Sequence, residues 1–422
     1  MSKNKEVFIT AFALFSLFFG AGNLVLPPFL GLRAGALWWW VTLGFCLSAV
    51  LIPILGIRAH ARLQGTLYDF GKKISPTFSW VYAFIIYAVS VALPSPRTAA
   101  VAHEMAVSPW LESPPILTSL VYFSLVLVFV MNRSRLLNLI GKWLTPAILL
   151  ILFAIIGITL GSSDYTFGKN LFTRPLSNGF LEGYQTFDAI GAVVVGGVIL
   201  VSINLKDKSL SYEERKLLIS RSGWWAGGLL FLVYGGLILS GALVHREFGL
   251  DVSRTQLLSG MGLRTLGGAM NFFTGLLVSL ACFTTAVGIV AGAADFAKHR
   301  CNNSKTAYLL TAIIGCVLGV VMGQLPVSSI IALALTVLMF VYPVTIVLIL
   351  LNLLPDRYTP PKVFQGVVAT TLLFSVPDFL GSMGLSKTIH SFSAYLPLSP
   401  YGMGWAIPAV AVFMLLNLFF KK

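Results

Sequence analysis

Apolar runs of roughly 17–25 residues recur from one end of this 422-residue chain to the other, more than any soluble fold can bury. A helix rises about 1.5 Å per residue, so each run matches the thickness of a bilayer's hydrocarbon core. With 57% of its residues hydrophobic and only 10% charged, the chain is expected to be an all-α polytopic membrane protein. Twelve spans are predicted, at about 7–32, 36–57, 77–106, 116–131, 143–161, 182–203, 222–245, 268–297, 306–324, 327–353, 364–382 and 401–420. The third and eighth runs are long enough to tilt or to include an external extension. Lys3 and Lys5 ahead of the first run imitate a signal peptide, but that run is too long, and it is read as a retained span.

A net charge of +14 would suggest nucleic acid in a soluble protein, yet here the charge sorts by topology. With the N-terminus inside, twenty-one of the 29 Lys and Arg residues fall in inner segments and seven in outer ones, Arg97 standing apart within the third span. Both termini are therefore predicted to be cytoplasmic, and no nucleic-acid partner is expected. Cys46, Cys282, Cys301 and Cys316 form no close pair and no metal-ligand spacing, and no zinc or haem motif is present.

The first span carries a flaw at membrane depth. Phe18-Phe19-Gly20-Ala21-Gly22-Asn23-Leu24-Val25-Leu26-Pro27-Pro28 places glycines, an asparagine and a proline pair where a continuous helix favours Leu or Ala. In hydrocarbon a broken helix persists only where protein, water or ligand satisfies the freed peptide groups. The arriving half ends in bare carbonyls and the departing half begins with bare N–H groups, so the gap offers a cation seat beside a carboxylate seat. A kinked structural helix held by its neighbours is the alternative. The prolines are expected to contribute by stripping the Asn23 and Leu24 carbonyls of their donors.

The sixth span is interrupted by small residues too, from Gly183 through Asp188 and Gly191 to Gly196-Gly197. Because an odd number of crossings separates the two spans, they run in opposite directions, as two inverted five-helix repeats would place them. A carboxylate two turns inside an apolar span is costly unless paired, protonated or ligated, which marks Asp188 as functional, as a cap of the break, or as both. Phe187 and Val193 either wall a substrate pocket or simply pack. In the eighth span, the adjacent hydroxyls of Thr284 and Thr285 either offer oxygen to a hard cation or bond back to a carbonyl one turn earlier. Arg97, following about twenty apolar residues, is read chiefly as snorkelling to the outer headgroups, with closure of the vestibule against an acid as the alternative. His103 and Glu104 are placed near the same boundary in solvated roles.

The stretch at 18–28, Pro96-Arg97-Thr98-Ala99, Gly183-Tyr184-Gln185-Thr186-Phe187-Asp188-Ala189 and Cys282-Phe283-Thr284-Thr285-Ala286-Val287-Gly288 together resemble the bacterial branched-chain amino acid:cation symporters. These belong to the amino acid–polyamine–organocation transporters. The resemblance implies a leucine-transporter-type fold, with a first inverted repeat at 1–161, a second at 162–353 and two further helices at 354–422. It implies a non-enzymatic carrier in the bacterial inner membrane that imports leucine, isoleucine or valine with sodium as coupling ion and no cofactor. Residue by residue, Ala21 and Gly22 would receive the substrate carboxylate, with Asn23, Phe187, Asp188, Ala189, Gly191 and Val193 around the substrate. Carbonyls of Ser16, Phe19 and Ala281 and the hydroxyls of Thr284 and Thr285 would hold sodium. Asp188 departs from the threonine that neurotransmitter-type members place there, which leaves a second sodium seat open. Two other readings are a proton-coupled or facilitative carrier titrating Asp188 or Glu104, and a membrane-embedded enzyme using His103, Glu104 and Asp188.

Overall fold

The computed structural model describes residues 3–131, 145–206, 210–385 and 396–419, which are nearly all helical and contain no strand. Every expected span meets a helix or a pair of helices. The first is divided into α1 (Lys3–Phe18) and α2 (Ala21–Ala34). The second comprises α3 (Trp38–Cys46) and α4 (Ile52–Leu63), joined through a π-helical turn at Leu47–Leu51. The third breaks at Leu93 into α5 (Pro76–Ala92) and α6 (Pro94–Ala102). Next come α7 (Pro115–Met131) and α8 (Thr145–Ser162), followed by a sixth span divided into α9 (Pro175–Tyr184) and α10 (Asp188–Lys206). The remaining helices are α11 (Tyr212–Leu243), α12 (Arg254–Arg300), α13 (Lys305–Met322), α14 (Val327–Leu353), α15 (Pro361–Ser382) and α16 (Ala406–Phe419).

Among the described residues, eight helical stretches are long and apolar enough to cross a bilayer, and α7 and α16 are shorter apolar helices. The difference from twelve lies in the two divided spans and these two short ones. Residues 143–144 and 420 of the expected spans lie outside the described residues, as do Arg133, Arg135, Lys142, Lys208, Lys387, Lys421 and Lys422 from the orientation argument. The eighth span does carry an extension: α12 begins at Arg254 and bends at Gly267, whose φ of 75° lies where only glycine sits at ease.

Burial separates an inner bundle from an outer shell. On α2, Leu24, Val25 and Leu26 are fully buried, whereas Leu117, Leu120, Val121 and Val128 of α7 face outward, as a lipid-facing helix requires. In the interior α2 crosses α11 at backbone contact. A Cβ added at Gly31 would collide with the Ile238 carbonyl, and one at Gly241 with the Pro28 carbonyl. Small residues let two backbones touch where lipid supplies no hydrophobic drive between helices.

The prolines do not make the break. Pro27 and Pro28 lie well inside α2, which continues to Ala34, while the interruption falls earlier, at Phe19–Gly20. Gly20 is extended there, with φ −111° and ψ −165°. What ends α1 is therefore the capping of Gly20 described next.

Candidate substrate and ion site

At the end of α1, the Phe19 N–H closes the last helical bond onto the Phe15 carbonyl at 2.8 Å. The Gly20 N–H instead donates to Asn23 Oδ1 at 3.3 Å. This leaves the Ser16 carbonyl without its usual donor four residues on, and α2 opens with N–H groups that no preceding turn can accept. One break thus exposes both signs of backbone partial charge, with Ser16 and Phe19 buried beside it.

The second break contains no glycine at its turning point. Gln185, Thr186 and Phe187 donate to the carbonyls of Glu182, Gly183 and Tyr184 in a tightened last turn, and Phe187 then takes φ 62°, a left-handed conformation unusual for a bulky residue. Side chains satisfy the peptide groups released here. Arg97 Nη1 donates to the Gln185 carbonyl at 2.7 Å, the Thr186 hydroxyl accepts from the Asp188 N–H at 3.2 Å, and the Tyr342 hydroxyl accepts from the Ala189 N–H at 3.1 Å. The cost of the irregular turn is spread over the break itself, α6 and α14.

Asn23 joins the two breaks. Its amide donates to Asp188 Oδ1 at 2.9 Å and Oδ2 at 2.7 Å, while the Tyr234 hydroxyl of α11 donates to Oδ2 at 3.1 Å. The Asn23 amide also meets the Tyr234 hydroxyl. All three side chains are buried. A lone carboxylate there would carry a desolvation penalty of several kcal/mol. Neutral donors and its position as first residue of α10, at the positive end of that half-helix, offset it.

On α12, the hydroxyls of Thr284 and Thr285 lie 2.8 and 3.3 Å from the Ala281 carbonyl, to which both donate, the back-bonding that threonine often adopts in helices. Three oxygens are thereby gathered in one place beside the first break. Thr285 Oγ1 would lie 3.1 Å from a Cβ added at Gly20. That donor set suits a hard cation and not a soft one.

The cavity enclosed by these pieces is small, about 50 Å³. Asn23, Phe187, Asp188 and Gly191 line it, together with Arg97 and Thr285. Gly22 abuts the Arg97 guanidinium, since a Cβ there would collide with Nη2. Ala189 and Val193 are fully buried and stand behind the wall: the Ala189 N–H is held by Tyr342, and the Val193 carbonyl lies 2.7 Å from His60 Nε2.

Three expectations change. Arg97 does not snorkel, because it is 2% exposed and its guanidinium lies 5.4 Å from the centre of the Phe187 ring, with no acid in an ion pair among the described residues. Its helix, α6, is buried along its length, so the charge has no route to the headgroups. His103 is likewise buried, with Nδ1 2.9 Å from the Thr118 hydroxyl. Glu104 accepts from the Thr255 hydroxyl at 2.6 Å and the Val327 N–H at 3.0 Å, which caps the start of α14. Tyr234, Tyr342 and Gln185 were not singled out by the sequence, because a tyrosine or glutamine among apolar residues looks like ordinary packing until its partner is seen.

A second, larger cavity of about 670 Å³ lies beyond Gln185, lined among others by Phe29, Arg33, Glu182 and Arg254. Arg254 pairs with Glu182 at 3.4 Å and donates to Gln185 Oε1 at 3.2 Å. Gln185 thus separates the two spaces, its carbonyl bound to Arg97 and its side chain to Arg254.

Two discontinuous helices meeting at a buried polar centre are the architecture of the leucine-transporter fold. Solved structures share this architecture: the inward facing conformation of Mhp1 matches with a TM-score of 0.58 over 97% of this chain and 91% of that one, at 13% identity. MhsT in complex with L-phenylalanine gives 0.57 over 98% of both chains at 14% identity, and a Na+-coupled sialic acid symporter 0.60 over 98% and 90% at 11%. At these identities the likeness is one of fold. The model of the branched-chain amino acid transport protein family matches residues 3–422, and the chain belongs to that family of transporters. It is 31% identical to the branched-chain amino acid transport system 2 carrier protein of Pseudomonas aeruginosa, over 96% of this chain and 94% of that one. With the branched-chain amino acid permease BrnQ of Bacillus subtilis it shares 29% identity over 96% and 94%.

Proposed function

We propose that the protein imports leucine, isoleucine or valine across the bacterial inner membrane by sodium-coupled symport. The observation that carries this reading is the meeting of the two breaks through Asn23 and Asp188, with the oxygens of Ala281, Thr284 and Thr285 against Gly20. The N–H groups of Ala21 and Gly22 in the first turn of α2 receive the substrate carboxylate, and Asn23, Phe187, Asp188, Ala189, Gly191 and Val193 form or back the pocket. Sodium sits among the carbonyls of Ser16, Phe19 and Ala281 and the two threonine hydroxyls. Residues 1–161 and 162–353 act as opposed repeats, 354–422 add two helices, and both termini face the cytoplasm.

For transport to be driven, each ligand must favour one conformation over the other, and a tenfold preference corresponds to about 1.4 kcal/mol. Sodium stabilises the form open to the outside by joining α1 to α12, and the substrate closes it. The test is radiolabelled leucine uptake into proteoliposomes with sodium, lithium and proton gradients imposed separately. Thr284→Ala with Thr285→Ala is expected to raise the sodium needed for half-maximal uptake by about tenfold or more, with less change in apparent leucine affinity at saturating sodium. Unaltered sodium activation would count against the assignment.

Proton coupling has one observation in its favour: Asp188 is buried, bonded to neutral donors, and in no ion pair among the described residues. Uptake that follows pH without sodium, and is lost in Asp188→Asn, would favour it.

A further inference from the structure

We infer that Arg97 reads the α-carboxylate of the transported amino acid, so that the site recognises a zwitterion through a guanidinium and a carboxylate held apart in one cavity. This deepens the amino-acid reading above and rests on it. Arginine carries five N–H donors in a rigid fork. Here Nη1 is engaged by the Gln185 carbonyl, while Nε is buried with no hydrogen-bond partner among the described residues. A guanidinium at this depth, 2% exposed and in no ion pair among the described residues, is costly to maintain without a counter-charge. Its second terminal nitrogen borders Gly22, beside the N–H groups that open α2 and have no preceding helical turn to donate to. A helix N-terminus and a fork matched to planar, two-oxygen anions therefore converge on one spot of the cavity wall.

Asp188 lines the same cavity and makes no ion pair with Arg97. Two opposite charges that line one small cavity yet stay unjoined are complementary to a ligand bearing both. An amino acid brings a carboxylate for Arg97 and an ammonium for the Asp188 end, where the carboxylate's four acceptor positions exceed the three donations made by Asn23 and Tyr234. Lysine would give a point charge, and would lose both the second N–H contact and the Phe187 face.

Arg97 also steadies the Gln185 carbonyl, so the test must separate recognition from support. Binding of leucine and of leucinamide, which keeps the side chain and ammonium but lacks the carboxylate, is measured on the full-length protein in nanodiscs for the wild type, Arg97→Lys and Arg97→Gln. The wild type is expected to prefer leucine by about 100-fold, Arg97→Gln to lose about that factor for leucine while binding leucinamide almost unchanged, and Arg97→Lys to fall between. A parallel loss of both ligands in Arg97→Gln would assign the residue to support alone and overturn the inference, as would full retention of the leucine preference. Should Arg97→Gln fail to fold, equal binding of the two ligands by the wild type, or an undiminished preference in Arg97→Lys, overturns it. A wild type that binds neither ligand but takes up another solute sinks the amino-acid reading itself, and this inference with it.

Discussion

The two interruptions lie against each other, yet they are built by different means. The first uses an extended glycine whose amide is capped by a side chain three residues on, so nearly everything it needs is local. The second turns on a left-handed phenylalanine and draws its partners from α6 and α14. A break with local support can form as soon as its own segment does, whereas one with distant support exists only when the bundle is assembled. Difference in construction therefore predicts difference in sensitivity.

Asn23→Ala should have the largest effect, since it removes both the Gly20 cap and the amide that bridges to Asp188. A loss of about 2–4 kcal/mol is expected, visible as a lower melting temperature in detergent together with abolished uptake. If Asn23→Ala melts like the wild type, the two breaks are not coupled through this residue. Tyr342→Phe should follow, at about 1–3 kcal/mol, because it strands the buried Ala189 N–H. The Gly20 amide of the first break is capped instead from three residues on, so a neutral result would erase the contrast between local and distant support of the released peptide groups.

At Phe187 the order of substitutions is the informative quantity. The left-handed backbone costs a non-glycine residue roughly 1–2 kcal/mol, so Phe187→Gly should be more stable than Phe187→Ala, the reverse of the usual helical ranking. Melting curves of the pair decide it, and Ala above Gly would mean that the turn is not strained. Asp356, far from both breaks, serves as the smallest effect. Its carboxylate accepts from the Lys73 ammonium at 2.7 Å with Arg62 at 3.3 Å, which holds it below the usual carboxylate range. Such a group stabilises the fold above its unfolded pKa of about 3.9, and the gain is lost as pH falls through the lower folded value. Because the pair is exposed, Asp356→Asn should change stability at neutral pH by no more than about 1 kcal/mol. A larger shift would mean that this loop, rather than the breaks, limits stability.

The spans were legible because hydrocarbon demands long apolar runs, and the broken first helix and the singular status of Asp188 because each violates what hydrocarbon allows. Long apolar runs, a glycine pair at depth and an uncompensated acid are visible in one dimension. The position of the first break was legible only to within a turn, because Pro27 and Pro28 read as helix breakers although α2 absorbs them. Arg97 was misread because twenty apolar residues before a cation look the same whether the helix continues to the headgroups or breaks at Leu93 and turns the charge inward. Tyr234 and Tyr342 carried no signal of their own; their hydroxyls matter through partners 46 and 153 residues away in sequence.

Where Gly31 and Gly241 bring α2 and α11 backbone to backbone, neither position offers a side chain that could slide or repack. A larger residue at either glycine would prise the two helices apart. Asn23 and Tyr234 sit on these same two helices, so the crossing also sets how far the Asn23 amide stands from the Tyr234 hydroxyl.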